Sequence, residues 1–174
     1  MNYFELYELP VSLQVDKKEL NTKYIALQKR FHPDFFSKSD ASEQEEMLQK
    51  SSMVNRGYKV FNNEDDTLKY VLELKGLVTE NEKYDLPPDF LMEMMEINET
   101  LAEPQDSEVE EMETKINQMQ NQHYQSVQNI IENYNDEITT NEQLLLVKDY
   151  YYKKKYLNRI LERLDGMRNI ASQF

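Results

Sequence analysis

Apolar residues recur along this chain every three or four positions, the spacing that places them on one face of a helix. Tyr3–Leu9 reads as one short apolar helix, stopped by Pro10. Asp16 opens a longer one, in which Leu20, Tyr24, Leu27 and Phe31 fall on a single stripe. Pro33 ends it, because the residue before a proline disfavours the helical region. Asp34 to Asp40 reads as a loop. Ser42-Glu43-Gln44-Glu45 fits a capping box, and the helix after it aligns Met47, Val54, Tyr58 and Phe61. Two antiparallel helices joined by a short loop bury facing stripes, so residues 16–62 are expected to form a helical hairpin. Asp65 or Asp66 can cap a further short helix carrying Leu68, Val71, Leu72 and Leu74, closed by Gly76.

The pattern lapses over residues 77–86, which read as a linker. It resumes at Pro87-Pro88-Asp89, with proline at the helix entry, and runs to about Leu101. A long helix follows Pro104, with Val109, Met112, Ile116, Met119, His123, Val127, Ile130 and Tyr134 spaced by threes and fours. Asp136–Thr140 breaks that helix. Thr140-Asn141-Glu142-Gln143 can cap a last one, which uses Val147, Tyr150, Leu157, Leu161 and Leu164 and runs to about Ala171. Short breaks between long helices imply antiparallel neighbours, hence a three-helix bundle. The expectation is an all-α protein with three parts: residues 1–76, a linker at 77–86, and a bundle at 87–174. Composition agrees: there are 3 Gly, 5 Pro and no Trp, and the abundant Leu, Glu, Lys, Gln and Met lose little rotamer freedom in helices.

Composition also narrows the chemistry. With no Cys, disulfides, thiolate metal sites and cysteine nucleophiles are excluded, and 2 His cannot build a multi-histidine cage. No phosphate-cradling glycine motif occurs, and no constellation supports an enzyme or a cofactor. No apolar run approaches the ~20 residues of a membrane span, and the first residues lack signal-peptide or transit-peptide character, so a cytoplasmic location is expected. The net charge is −13. It is unevenly placed: residues 1–75 hold 11 basic and 13 acidic residues, residues 76–174 hold 9 and 20. The acidic second half argues against a nucleic-acid partner.

Against this acidic background one helix is basic, with Lys17, Lys18, Lys23, Lys29 and Arg30 ahead of His32-Pro33-Asp34. Alone, the tripeptide is a helix stop followed by an Asp turn. A short helix, a basic helix, an HPD turn and an antiparallel helix together resemble a J-domain. The resemblance narrows at Asn2-Tyr3-Phe4-Glu5-Leu6-Tyr7-Glu8-Leu9-Pro10, at Leu27–Phe36, and at Phe90-Leu91-Met92-Glu93, which are similar to segments of the HscB family. That resemblance implies a J-domain that stimulates the ATPase of a DnaK-type chaperone of the HscA kind. His32, Pro33, Asp34, Lys23, Lys29 and Arg30 would form the chaperone-binding residues. It also implies a C-terminal bundle that binds IscU, the scaffold protein for iron–sulfur clusters. Asn21, Ile25 and Ala26 are uncharged where many general J-domains are basic, which agrees with a dedicated chaperone. The cysteine module of many eukaryotic relatives is absent, which points to a bacterial protein.

The helix after Pro88 carries an argument independent of family. At about 100° per residue, Phe90, Met94, Ile97 and Leu101 share one narrow face, while Leu91, Met92 and Met95 lie away from it, near Glu96 and Glu99. A helix that buries one stripe has no structural use for those three apolar residues. Either a second element covers them or they bind a protein. The family resemblance assigns Leu91, Met92, Met95, Glu96 and Glu99 to scaffold contact and adds Tyr152 from the last helix. A J-protein with another client, or a structural helical protein, would share parts of this pattern.

Overall fold

The computed structural model describes residues 1–173, and those residues form seven α-helices and one short 3-10 turn, with no strand among them. The chain divides into two compact units. One comprises residues 1–76 with 132–139; the other comprises 77–131 with the chain from 140 onward.

In the first unit, α1 (Tyr3–Tyr7) begins in a capping box in which Asn2 and Glu5 satisfy each other's backbone amides. Asp16 caps α2 (Lys17–Arg30) by accepting from the Glu19 amide at 2.8 Å. Where a plain loop is expected, Pro33–Phe36 forms a 3-10 turn. The next helix, α3 (Ala41–Asn62), is capped by Asp40 rather than Ser42. The Asp40 carboxylate accepts from the Glu43 amide at 2.9 Å and meets the positive end of the helix, a stronger combination than a serine hydroxyl offers there. Asn63 closes α3 and caps α4 (Glu64–Leu74), accepting from the Asp66 amide. Asp65 and Asp66 thereby fall in the first turn, where carboxylates favour the helix dipole. Gly76 adopts φ +69° after α4, a conformation open to glycine at no steric cost.

Phe4, Tyr7, Leu13, Leu20, Phe61 and Leu72 are among the fully buried side chains of this unit. The Tyr7 hydroxyl donates to the Val54 carbonyl at 2.7 Å, and burial pushes its phenol pKa well above the ordinary value. Gly57 explains how α1 comes so near α3. A Cβ there would lie 2.9 Å from Tyr7 Cε2 and 3.2 Å from the Tyr3 ring. Tyr7 cannot swing aside without breaking its buried hydrogen bond. Gly57→Ala is therefore expected to destabilise the protein: overpacking costs about 1–3 kcal/mol, against about 1 kcal/mol gained in helix propensity. A thermal melt that rises for this variant would refute the close packing. Residues 132–139 join the unit through Lys75, whose ammonium lies 2.6 Å from Asp136; Tyr134 donates to the same carboxylate at 2.7 Å.

The second unit is a bundle of α5 (Pro88–Ala102), α6 (Asp106–Glu132) and α7 (Asn141–Ala171). Thr140 and Gln143 form the capping box that starts α7. Phe90, Met94, Ile97 and Leu101 of α5 pack with Ile116 and Met119 of α6 and with Leu157, Ile160 and Leu164 of α7. Further along, Ile131 rather than Ile130 is buried, with Val127. His123 is half-buried, its ring 5.8 Å from that of Phe90. Burial and the nearby Lys153 lower its pKa, which suits a boundary position. The pairings Phe90 with Tyr156, Asn98 with Tyr156 and Leu101 with Arg163 set α5 and α7 parallel. Gln120 with Asn158 and Glu113 with Arg168 set α6 antiparallel to α7.

Candidate protein interfaces

His32 sits between the last turn of α2 and the 3-10 turn in an extended conformation, with Pro33 fixing the next φ. Its Nδ1 accepts from the Asp34 amide at 3.3 Å, and its carbonyl accepts from the Phe35 amide at 3.1 Å. The same Nδ1 lies 3.5 Å from the Asp34 carboxylate. The imidazole is 54% exposed and the Asp34 carboxylate 89% exposed. Phe35 stands beside them almost bare, 73% exposed, its ring edge-on to His32. An exposed imidazole, a carboxylate and an apolar ring at one turn suit recognition by another surface.

The basic residues divide. Lys29 lines one shallow groove with His32, Pro33, Ile25, Gln28 and Ser51. The guanidinium of Arg30 lies 5.4 Å from the centre of the Phe31 ring, close beside the motif. Lys23 is also tied to the backbone. Its ammonium donates to the Glu8 carbonyl at 2.8 Å, one of the acceptors left by the end of α1.

On α5 the two faces separate sharply. Phe90, Met94, Ile97 and Leu101 are buried, whereas Leu91 is 40%, Met92 61% and Met95 62% exposed, with Glu96 and Glu99 exposed beside them. Tyr152 of α7 is half-buried, and its hydroxyl donates to Glu82 at 3.0 Å. Glu82 belongs to the segment that the sequence reads as a linker. That segment lies along α7. Lys148 donates to the Leu77 carbonyl and to Glu82, both at 2.7 Å; Tyr84 donates to Asp149 at 2.8 Å and stacks on Tyr152, centroids 4.5 Å apart. The Lys148 ammonium holds the Glu82 carboxyl below the usual range. Burial, then the Asp149 acceptor, push the Tyr84 phenol up to about 12.

Comparison with known proteins bears on both sites. Residues 86–165 match the family model described as the HSCB C-terminal oligomerisation domain. A co-chaperone protein HscB homologue of Vibrio parahaemolyticus is 34% identical over 134 residues, covering 74% of this chain and 78% of that protein. A second homologue, from Vibrio vulnificus, is 37% identical over 136 residues with the same coverage. The chain belongs to the HscB co-chaperone family. The solved chaperone HscB of Vibrio cholerae superposes with a TM-score of 0.73 at 26% identity, covering 98% of this chain and 99% of that one. Human co-chaperone protein HscB superposes at 0.77 and 29% identity, covering 97% and 82%.

Within this HscB fold, an N-terminal J-domain and a C-terminal helical bundle, the expected site residues fall into two groups, one in each compact unit. Phe35, Glu82, Tyr84 and Lys148 escape the sequence reading. Phe35 looks like any loop apolar residue until its exposure is known. Glu82, Tyr84 and Lys148 meet across 65 to 71 positions of chain, and no periodicity records such a contact. Among the described residues no group of His, Asp or Glu could hold a metal ion, and no helix is long and apolar enough to cross a membrane.

Proposed function

We infer that this chain is a bacterial cytoplasmic adaptor that stimulates the ATPase of a DnaK-type chaperone of the HscA kind and brings it the iron–sulfur scaffold protein IscU. The observation that carries the reading is the divided α5. Four residues of one stripe close the bundle, and Leu91, Met92 and Met95 face solvent between carboxylates. An apolar patch with a polar rim is what a protein-binding face presents, and methionine adapts to irregular partner surfaces. Calorimetric titration of purified IscU into the full chain tests it: saturable binding is expected, and no heat and no complex on a sizing column would sink the scaffold assignment.

The chaperone arm rests on the HPD turn. Lys29 and Arg30 supply positive charge beside it in a protein of net charge −13, which suits an acidic face on the ATPase. Charges of this kind act mainly on the association rate and are screened by salt. Docking of His32-Pro33-Asp34 then favours the hydrolysis-competent state by binding it more tightly than the resting one. The hydrolytic machinery is the chaperone's, and the iron–sulfur cluster is cargo of the scaffold. Lys29→Ala with Arg30→Ala is expected to slow association several-fold at low salt and to flatten its salt dependence. Stopped-flow rates that match wild type at low salt would remove this helix from the interface. Lys23→Ala is a poorer probe, because it also frees the Glu8 carbonyl.

A further inference from the structure

Residues 77–86 are fastened along α7 by side chains drawn from both segments. Lys148, only 11% exposed, is held between the Leu77 carbonyl and Glu82 Oε1. The second oxygen of Glu82 accepts from Tyr152. Tyr84 lies flat on Tyr152 with 10° between the rings, and its hydroxyl reaches Asp149, which also pairs with Lys153 at 2.6 Å. Leu86 packs against the α5–α7 core, and Pro88 starts α5 two residues later. Two tyrosines are thus fixed in one plane-on-plane stack, each half-buried.

Their position follows from helix geometry. On α7, Tyr152 precedes Tyr156 by four residues and shares its face. Tyr156 accepts from Asn98 and packs edge-on to Phe90. On α5, Leu91 and Met95 both precede Asn98 and are rotated from it in the same sense, by about 20° and 60°. The parallel run of α5 and α7 then sets Tyr152, with Tyr84 on it, beside the Leu91 end of the exposed apolar face. We propose that Tyr84 is part of the partner-binding surface and that Glu82 and Lys148 are positioning residues, which hold the Tyr84–Tyr152 stack as a preformed aromatic wall for the protein seated on Leu91, Met92 and Met95. This rests on the scaffold-binding reading of α5.

A rigid aromatic pair suits this role, because its ordering entropy is lost on folding rather than on binding. Glu82 of the strap and Lys148 and Asp149 of α7 fix the rings, with the Lys148 ammonium 5.5 Å from the centre of the Tyr84 ring. The occupant is the scaffold protein itself, presenting an apolar or aliphatic surface to the stack.

The test is calorimetric titration of IscU into the full chain and its variants, with hydrogen exchange of residues 77–86 followed in the presence and absence of the scaffold. Tyr84→Ala is expected to weaken binding about tenfold or more, whereas Tyr84→Phe, which keeps the ring, stays within about twofold. Lys148→Met and Glu82→Gln are each expected to weaken binding while the melting transition stays in place. Lys148→Met combined with Tyr84→Ala is expected to lose no more than Tyr84→Ala alone, since both act through one wall. Scaffold binding is expected to slow exchange across the segment, an effect that a purely structural strap would not produce. Tyr84→Ala at wild-type affinity, with Leu91→Ala, Met92→Ala and Met95→Ala together still abolishing binding, overturns the wall and leaves the α5 site standing. Fully additive losses in the double variant overturn the positioning role. A wild-type chain that does not bind the scaffold overturns both.

Discussion

Leu91→Ala, Met92→Ala and Met95→Ala together are expected to weaken scaffold binding by at least about a hundredfold while leaving the melting transition nearly unmoved. Truncating a central apolar anchor costs about 1–4 kcal/mol, non-additively, and each 1.4 kcal/mol is about tenfold in affinity. The stability half of the result follows from exposure. These side chains are 40–62% exposed, so cutting them back opens no cavity. Their neighbours behave in the opposite way. Met94 and Ile97 are each 1% exposed, and core truncations cost about 2–5 kcal/mol apiece. Met94→Ala with Ile97→Ala should therefore collapse the thermal transition of the same helix. Calorimetry and a melt on each sample separate the two faces. A triple variant that unfolds, or that binds scaffold normally, contradicts the assignment.

His32→Gln is expected to abolish stimulation of the chaperone ATPase with circular dichroism and melting nearly unchanged. The turn does not depend on the imidazole. Pro33 fixes its backbone, and the Phe35 amide donates to the His32 carbonyl, which every residue possesses. The contacts at stake are the 3.3 Å bond from the Asp34 amide to Nδ1, worth about 1 kcal/mol or less as a cap, the 3.5 Å approach of Nδ1 to the Asp34 carboxylate and the edge-on Phe35 ring, all at an exposed position. The exposed imidazole ring, by contrast, is lost altogether. Steady-state turnover that survives this substitution would show that the HPD turn is not what the chaperone reads.

Much of this was legible in the sequence because it is periodic. The split of α5 into buried Phe90, Met94, Ile97 and Leu101 and exposed Leu91, Met92 and Met95 follows from a 100° step alone. The caps at Asp16 and Thr140 stand next to the apolar stripes they introduce, and the structure uses both. What escaped was non-periodic. Asp40 outcompetes Ser42 because its carboxylate acts two residues earlier, which a motif search centred on Ser42 does not weigh. Asn63 serves two helix ends at once. Residues 77–86 carry no stripe and read as a linker; their order comes from Lys148, Tyr152 and Asp149 on a distant helix. The bond from Lys23 to a backbone carbonyl 15 residues away is equally invisible to periodicity. Periodic burial is a local property of sequence; fastening by single polar side chains is a property of the folded chain.

In the proposed function one chain couples a chaperone ATPase to a scaffold, through the HPD turn and the exposed face of α5. Steady-state ATP turnover of the DnaK-type chaperone, titrated with the full chain in the absence and presence of IscU, tests it most directly. The chain alone is expected to raise turnover, and the scaffold to raise it further and saturably. His32→Gln should be flat under both conditions, and the Leu91, Met92, Met95 triple alanine variant should keep the first increase and lose the second. A scaffold that leaves the wild-type curve unchanged, or a triple variant that retains the scaffold-dependent increase, would contradict it.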